Sequence, residues 1–286
     1  MRNINRLSRT LLCALALTVF GVPAFGQGTA IEPCPATPAP KPGVNSPRAR
    51  LLPVDSTVPD DPDVAKIVAP YGEKVRELSK VIGRLEGDLK KGRVGAGSLG
   101  NFVTEGMRAQ AQAKLGKPVT LTVMNAGGLR KNDISAGELR SSDIFELLPF
   151  ENALVAVEVT GTQLQKLLQT VTRDAQAGAR IQYKWNDRDR PEFLSGKLLD
   201  ATGKEQEIDP QKMYTVVTID YLLQLGGGAY AFLKEAKSIT PLNMTVRDAI
   251  LNYIKSETAA GRPIRSLLDD RFVQVGPGPK TSEEPR

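Results

Sequence analysis

The sequence predicts one α+β domain over residues 63–275, and three observations support this. Short runs that alternate apolar and polar residues, typical of strands, are interspersed with runs at helical spacing. The segments that flank the domain are proline-rich or polar, and no internal repeat is visible. The length between the flanks is sufficient for one sizeable hydrophobic core, so a single domain is expected.

The first predicted element is an amphipathic helix at 64–78, where apolar residues recur at helical spacing. Asp61 and Pro62 form an N-cap and first-turn pair at its start. Pro70 and Gly72 predict a kink within it, because proline removes a helical hydrogen bond and clashes with the preceding turn.

The remaining elements follow from periodicity and capping residues. Thr162 and Gln165 predict a capping box at the start of one helix, and Thr245 and Asp248 predict another. Further helices are predicted at 102–107 and 142–148, the latter ended by Pro149. Strands are predicted at 119–123, 154–160, 181–185, 214–219 and 272–275.

The N-terminal residues 1–26 have the organisation of a signal peptide. Three arginines precede the apolar run 11–20, which is short for a helix that spans a bilayer. Ala24 and Gly26 place small residues at −3 and −1, so cleavage is expected after Gly26. We expect a periplasmic or secreted protein with no membrane span after cleavage; an uncleaved N-terminal anchor is the alternative.

Residues 27–62 are rich in proline and poor in large apolar groups, which predicts a disordered spacer, and 276–286 predict a disordered tail. Signal cleavage removes Cys13 and leaves Cys34, so no intramolecular disulfide is expected. Cys13 lies near the start of the apolar run, whereas a lipidated cysteine would follow its end. The position of Cys13 therefore argues against a lipoprotein.

Charge and composition exclude several classes of function. The chain has 38 basic and 32 acidic residues, interspersed along the domain, which argues against nucleic-acid binding. It has no histidine, so Ser-His-Asp and Cys-His catalysis, histidine zinc sites and the binuclear metallophosphatase centre are excluded within this chain. A mechanism that uses two carboxylates, as in glycosidases, remains open.

Four segments combine residues suited to close backbone approach and planar recognition. The second, at 124–130, carries Asn125, a glycine pair that permits a tight turn, and Arg130. The others are 84–101 with Arg93, 148–152 with Phe150, and 220–230 with Tyr230. Taken singly, each aromatic could be a core residue and each arginine a solvated charge. Their occurrence together favours a binding pocket.

At these segments the sequence resembles the C-terminal domain of the 5′-nucleotidase and UDP-sugar hydrolase family over about residues 63–275. The resemblance implies a four-layer α/β/β/α fold with mixed sheets. It also implies a nucleotide site in which two aromatics sandwich the base. These aromatics correspond to Phe150 and Tyr230.

The resemblance further implies that Asn125 contacts the base, and that Arg93 and Arg130 reach ribose and phosphates through planar guanidinium groups. By the same resemblance, Glu235 corresponds in position to the acid that binds ribose in the family. Two departures from the family pattern stand out. Gly228 replaces an aspartate, and Glu151 replaces a glycine. Glu151 would add negative charge near a phosphate, so Glu151→Gly is expected to tighten nucleotide binding.

The resemblance covers only the substrate-binding part of the family. The metallophosphatase domain, which binds two metal ions, has no counterpart in the sequence. We therefore expect no cofactor in this chain and no catalytic residue, with divalent metals held by a separate metallophosphatase chain of a split nucleotidase. Two alternatives are a module that captures nucleotides without hydrolysis and an interaction protein whose pocket has decayed.

Overall fold

The computed structural model describes residues 51–224, 230–265 and 268–280. The chain divides into two units, Met1–Pro59 and Asp60–Arg286. The predicted signal peptide, Cys34 and the end of the predicted tail lie outside the described residues. The described residues of the first unit contain one turn, in which the Asp55 carboxylate accepts a hydrogen bond from the backbone nitrogen of Thr57 at 2.9 Å.

The described residues of the second unit form seven α-helices and thirteen strands. The helices are α1 (Pro62–Val68), α2 (Gly72–Leu78), α3 (Gly97–Leu115), α4 (Ser141–Leu147), α5 (Gly161–Thr170), α6 (Asp220–Gln224) and α7 (Val246–Ala259). Short 3₁₀ helices lie at Ala69–Tyr71, Ala126–Gly128 and Ala231–Glu235. The strands are β1 (Val81–Leu85), β2 (Leu89–Lys90), β3 (Leu121–Met124), β4 (Asp133–Ile134), β5 (Gly137–Arg140), β6 (Ala153–Thr160), β7 (Ala175–Ala177), β8 (Ala179–Trp185), β9 (Pro191–Leu199), β10 (Glu205–Gln206), β11 (Met213–Ile219), β12 (Ser238–Thr245) and β13 (Phe272–Gln274).

Two larger sheets organise the second unit. One has five strands in the order β12-β6-β11-β3-β7, and β3 and β11 are parallel within it. The other has four strands in the order β10-β9-β8-β13, with β8 and β13 parallel. The remaining pairs of both sheets are antiparallel. The predicted fold class, α+β with mixed sheets, is confirmed.

The hydrophobic core lies between helices and the five-stranded sheet. Helix α3 packs on β3 and β7 and against α7, while α5 contacts both β6 and β9 and so touches both larger sheets. Phe102 and Met107 of α3, Leu164 of α5 and Val216 of β11 belong to one continuous buried cluster. This packing fixes the ends of the strands from which the candidate site is built.

The first predicted helix is present as α1 and α2, with the predicted kink at the 3₁₀ helix that contains Pro70. The Asp61 carboxylate accepts hydrogen bonds from the backbone nitrogens of Asp63 (2.8 Å) and Val64 (3.1 Å), as expected of an N-cap. No side chain of α1 or α2 is buried, so its apolar residues lie outside the core.

The predicted capping box at Thr162 and Gln165 is wrong by two residues. The pair is Thr160 and Gln163, which exchange two hydrogen bonds of 2.9 and 3.3 Å between backbone and side chain. Strand β6 runs directly into α5, and Gly161 is the first residue of the helix. A Cβ at Gly161 would lie 2.0 Å from the carbonyl oxygen of Asp209, which explains the glycine by close backbone approach.

The five-stranded sheet brings several chain segments to one edge. Met124 at the end of β3 pairs with Ala175 at the start of β7, and Ile219 at the end of β11 pairs with Leu154 near the start of β6. Because β3 and β11 are parallel, these ends meet at the same edge. The segments after β3, before β6 and before β7 therefore lie together.

Among the described residues, none of the helices is both long enough and apolar enough to cross a membrane.

Candidate functional site

The tight turn after β3 is the first part of the site. Asn125 leads into the 3₁₀ helix Ala126–Gly128, and a Cβ at Gly128 would lie 2.4 Å from the Cε of Met124. Glycine leaves room for the end of the buried methionine side chain, which would have to shift if a Cβ were present. The Asn125 Oδ1 atom is buried and has no hydrogen-bond partner in the described part of the chain. A ligand that donates a hydrogen bond would satisfy this acceptor.

Arg130 and Phe150 lie together beside this turn. The Arg130 guanidinium carbon is 5.8 Å from the centroid of the Phe150 ring, and its Nη1 lies 3.4 Å from the carbonyl oxygen of Gly127. The backbone nitrogen of Arg130 donates to the carbonyl oxygen of Leu147 at 2.8 Å, which joins the two loops. Phe150 is 47% exposed, so its ring is available to a planar ligand.

A buried arginine holds the loop that carries Phe150. Arg247, at the start of α7, donates to the carbonyl oxygens of Leu148 (3.2 Å) and Pro149 (3.4 Å) and to the carboxylate of Glu151. Its guanidinium also lies over the ring of Phe145, 4.4 Å from the centroid. The negative charge of Glu151, expected from the sequence to oppose a phosphate, is therefore paired with Arg247.

Tyr230 occupies a different environment from Phe150. It is only 6% exposed and belongs to the core cluster, and its hydroxyl donates a hydrogen bond to the Asp174 carboxylate. The same carboxylate accepts from the backbone nitrogen of Ala126 at 2.8 Å. Burial, together with the charge of Asp174, raises the pKa of Tyr230. Stacking of Tyr230 on a base stays a prediction, and it would require the ring to be uncovered.

Arg93 connects the site to the hairpin formed by β8 and β9. Its guanidinium carbon lies 4.5 Å from the centroid of the Trp185 ring, a cation–π arrangement. Its Nη2 donates to the carbonyl oxygen of Asp189, at the tip of the hairpin. Trp185 is further fixed by a 3.0 Å hydrogen bond from its Nε1 to Gln274.

A cavity of about 710 Å³ lies between the turn after β3, the segment after α5 and the hairpin tip. This volume falls within the roughly 300–1,000 Å³ range typical of small-molecule sites. Asp174 and Asp189 are its acidic lining residues, and Ala126 and Gly127 contribute backbone. The basic lining residues are Lys91, Arg93, Arg173, Arg188 and Arg190.

These five cations are not paired with carboxylates in the part of the chain that the structure describes. Among the described residues, no carboxylate oxygen lies within 4.0 Å of any of them, nor of Arg130. Lys91 donates a 2.7 Å hydrogen bond to the carbonyl oxygen of Leu129. Burial, and then the positive charge of Arg130, lowers the pKa of Lys91. The concentration of unpaired positive charge favours an anionic ligand.

The structure brings most of the predicted site residues together. Arg93 lines the cavity, Asn125 adjoins it through Ala126, and Arg130 and Phe150 flank it through Gly127. Glu235 is exposed and does not line the cavity. Its carbonyl oxygen accepts from Gln163 in the first turn of α5, whereas Thr170, at the other end of that helix, lines the cavity.

Sequence reasoning missed Lys91, Arg173, Arg188 and Arg190. The arginines at 188 and 190 lie in a polar turn between two strands, which is typical of a solvated hairpin tip. Their approach to Arg93 depends on how the four-stranded sheet is placed against the rest of the domain. A dense run of arginine and aspartate was the one available signal.

The side chains present do not fit the two-metal centre that the family resemblance implies for a complete nucleotidase. The chain has no histidine, and the described residues contain no group of three or more cysteine, aspartate or glutamate side chains arranged to hold a metal ion. The cavity itself is rich in cations, which repel a metal ion.

The family model described as "5'-nucleotidase, C-terminal domain" matches residues 78–235, more than half of the chain. The chain therefore belongs to this family. It is 24% identical over 239 residues to the trifunctional nucleotide phosphoesterase protein YfkN of Bacillus subtilis strain 168, covering 79% of this chain and 16% of that protein. It is 29% identical over 185 residues to a 5'-nucleotidase of Vibrio vulnificus strain CMCP6, covering 62% of this chain and 31% of that protein.

Among solved structures, the fold is similar to that of a 5'-nucleotidase precursor from Thermus thermophilus. The TM-score is 0.61 at 21% identity, over 77% of this chain and 44% of that chain. At this identity the likeness shows the fold alone. The chain spans less than half the length of each of these three proteins.

Proposed function

We propose that this chain binds a nucleotide, with the base on Phe150 and the phosphate at the basic cavity. The observation that carries the proposal is the set of five cations around one cavity that form no ion pair with a carboxylate of the described residues, close to an exposed aromatic ring. Nucleotides combine a planar base with phosphate oxygens, so one ligand matches both features. The family of the chain supports the same ligand class.

The contacts proposed for Phe150, Asn125, Arg130 and Arg93 each have a physical basis in the site. Stacking of a base on an aromatic ring contributes about 1–3 kcal/mol and tolerates different bases. The unpaired Oδ1 of Asn125 would accept a hydrogen bond from an amino group of the base. Arg130 and Arg93 would pair with phosphate or ribose oxygens. The ribose role of Glu235 has no support from its position.

The wider role in this proposal is nucleotide breakdown. The chain would act as the substrate-binding part of an exported nucleotidase, while a metallophosphatase outside the residues of this chain would supply the metal ions and the attacking water. Two of its relatives are named as a nucleotide phosphoesterase and a 5'-nucleotidase. The absence of histidine from the sequence supports a division of binding from catalysis.

Trp185 gives a direct test, because it is the single tryptophan of the chain and lies under Arg93. Adenosine and AMP are titrated into the purified chain while tryptophan fluorescence is recorded, and calorimetry gives an independent affinity. We expect saturable AMP binding, weakened about tenfold by Phe150→Ala. Arg130→Gln should weaken AMP more than adenosine, since a guanidinium pairs with phosphate.

Lys255→Gln is the matched control, since Lys255 is exposed on α7 and does not line the cavity. A saturable AMP response without turnover in the presence of a metallophosphatase would favour the capture module over the split enzyme. No fluorescence change and no heat with millimolar adenosine or AMP would overturn the proposal and leave the decayed pocket.

A further inference from the structure

The tip of the β8–β9 hairpin is a hydrogen-bonded turn that carries two arginines beyond those that correspond to the nucleotide-binding residues of the family. The Asn186 side chain accepts hydrogen bonds from the backbone nitrogens of Arg188 (3.0 Å) and Arg190 (3.1 Å). Asp189 has a positive φ of 51°, and its backbone nitrogen donates to the Asn186 carbonyl oxygen at 3.0 Å. These hydrogen bonds hold the backbone at 186–190 in a turn from which both arginines extend.

The hairpin tip is also attached to the wall of the cavity. Arg93 reaches it twice, through the Trp185 ring and through the carbonyl oxygen of Asp189. The Asp189 carboxylate accepts from the backbone nitrogen of Lys280 at 2.8 Å. Arg188, Asp189 and Arg190 thus line the same cavity as Arg93 although they are about a hundred residues away in the chain.

Arg173 adds a third guanidinium from the segment that follows α5. It is exposed and lines the cavity, and in the described part of the chain it has no hydrogen-bonding or ion-pair partner for its side chain. The acidic residue next to it, Asp174, already accepts from Ala126 and Tyr230. A cavity wall with three such guanidinium groups lowers its electrostatic energy when an anion lies between them.

We propose that Arg173, Arg188 and Arg190 form a second anion subsite, here named the hairpin subsite, which takes the outer phosphate of a ligand with two linked phosphoryl groups. The inference rests on the proposed function, in which Arg93 and Arg130 contact the first phosphate. Arg93 and the three arginines of the hairpin subsite line one cavity of small-molecule size, and Arg130 adjoins it through the carbonyl oxygen of Gly127. A diphosphate spans two cation groups with one ligand, whereas a monophosphate leaves one group unpaired.

The test compares AMP, ADP, orthophosphate and inorganic pyrophosphate by calorimetry on the full chain. The variants are Arg188→Gln and Arg190→Gln, alone and combined. Lys184→Gln is the matched control, because Lys184 is exposed on the same hairpin but does not line the cavity. Thermal unfolding checks that every variant is folded.

We expect the wild-type chain to bind ADP about tenfold more tightly than AMP, and pyrophosphate more tightly than orthophosphate. The double variant should lose this preference, because its ADP affinity should fall more than its AMP affinity, and Lys184→Gln should keep the preference. Pyrophosphate binding that depends on the arginines without any nucleotide binding would support the hairpin subsite and overturn the proposed nucleotide function.

The opposite results overturn the inference. Equal affinity for AMP and ADP, or a preference for ADP that survives the double variant, would show that the hairpin subsite does not exist, while the proposed nucleotide function stands. Binding of none of the four ligands would overturn both.

Discussion

The carboxylate of Glu151 forms an ion pair with the guanidinium of Arg247, which is 8% exposed. Glu151 itself is largely exposed, so the pair joins a buried cation to a surface carboxylate. Arg247 also binds the carbonyl oxygens of Leu148 and Pro149. The pair therefore anchors the loop of Phe150, and the charge of Glu151 is partly neutralised before a ligand arrives.

Arg247→Met is expected to lower the free energy of unfolding by about 2 kcal/mol, because the carbonyl oxygen of Leu148, which is buried, and that of Pro149, which is partly buried, lose a charged donor. The substitution should also weaken AMP binding, although Arg247 is not expected to contact the ligand, since the loop that carries Phe150 loses its anchor. Arg247→Lys should not restore binding, because one ammonium group cannot reproduce the planar fork. Denaturant unfolding and calorimetry measure both effects.

Glu151→Gln is the companion change. It should alter stability less than Arg247→Met does, because an exposed partner of an ion pair contributes little. The sequence alone suggested that removal of the charge would tighten a nucleotide. The ion pair with Arg247 predicts a smaller gain, and a tenfold gain would show that the charge of Glu151 is not neutralised.

Tyr230→Phe removes the hydroxyl and keeps the ring, so it distinguishes the contributions of the two groups. Loss of the hydrogen bond to the Asp174 carboxylate should cost about 2 kcal/mol of unfolding free energy. Because the pKa of Tyr230 is raised in the folded state, its contribution is fully present below the ordinary tyrosine pKa and is lost as the pH rises above about 10.

The variant should therefore lose stability less steeply than the wild type between pH 10 and 11, in urea unfolding followed by circular dichroism. Tyr183 and Tyr253, whose pKa values are also raised by burial, are common to both proteins and cancel in the comparison. Identical slopes would contradict burial of the Tyr230 hydroxyl. If the variant binds AMP with unchanged affinity, the hydroxyl of Tyr230 does not contribute to AMP binding, and any contribution comes from its ring.

The fold could be predicted from sequence where local signals are strong. The capping box of Thr245 and Asp248 is present at the start of α7, and the predicted strands at 154–160 and 214–219 became neighbouring strands of one sheet. Strand β9 was missed because most of its residues are only partly buried and it carries a glycine and a serine, so it lacks regular alternation. Its strand conformation depends on its hydrogen bonds to β8, which the local sequence pattern does not reveal.

The candidate site was predictable only in part, and for a physical reason. Asn125, Arg130 and Phe150 adjoin strands that share one sheet edge, so their proximity follows from the topology that the family resemblance implied. The burial of Tyr230 could not be foreseen, since an aromatic after a glycine run suits a core and a binding site equally. The presence of Arg188 and Arg190 in the cavity could not be predicted, because it depends on where the four-stranded sheet lies relative to the rest of the domain.

The purified chain, supplied with Mn²⁺, Zn²⁺ or Co²⁺, should not hydrolyse AMP or UDP-glucose. It has no histidine, and its described residues contain no cluster of acidic or cysteine side chains suited to a metal ion. Phosphate release is measured alongside AMP binding on the same preparation, so that a negative result comes from folded protein. Turnover that disappears when a carboxylate of this chain is mutated would refute the prediction.

Lys91 links stability and ligand binding through its charge. It lines the cavity, and burial, with Arg130 adding to the effect, lowers its pKa below the ordinary value of 10.5. The unfolded chain therefore holds the Lys91 proton more tightly than the folded chain does. At neutral pH the ammonium is charged in both states and its cost is fully present. That cost is relieved as the pH rises from the lowered pKa towards 10.5.

Lys91→Met removes this linkage. The difference in unfolding free energy between the wild type and the variant should shift in favour of the wild type as the pH rises through that window, and urea unfolding at several pH values measures it. A bound phosphate stabilises the ammonium, so AMP affinity should fall with rising pH in the wild type, and the variant should bind AMP more weakly with less pH dependence. Parallel pH profiles for the two proteins, in both unfolding and AMP titration, would show that the charge of Lys91 faces neither a buried environment nor the ligand.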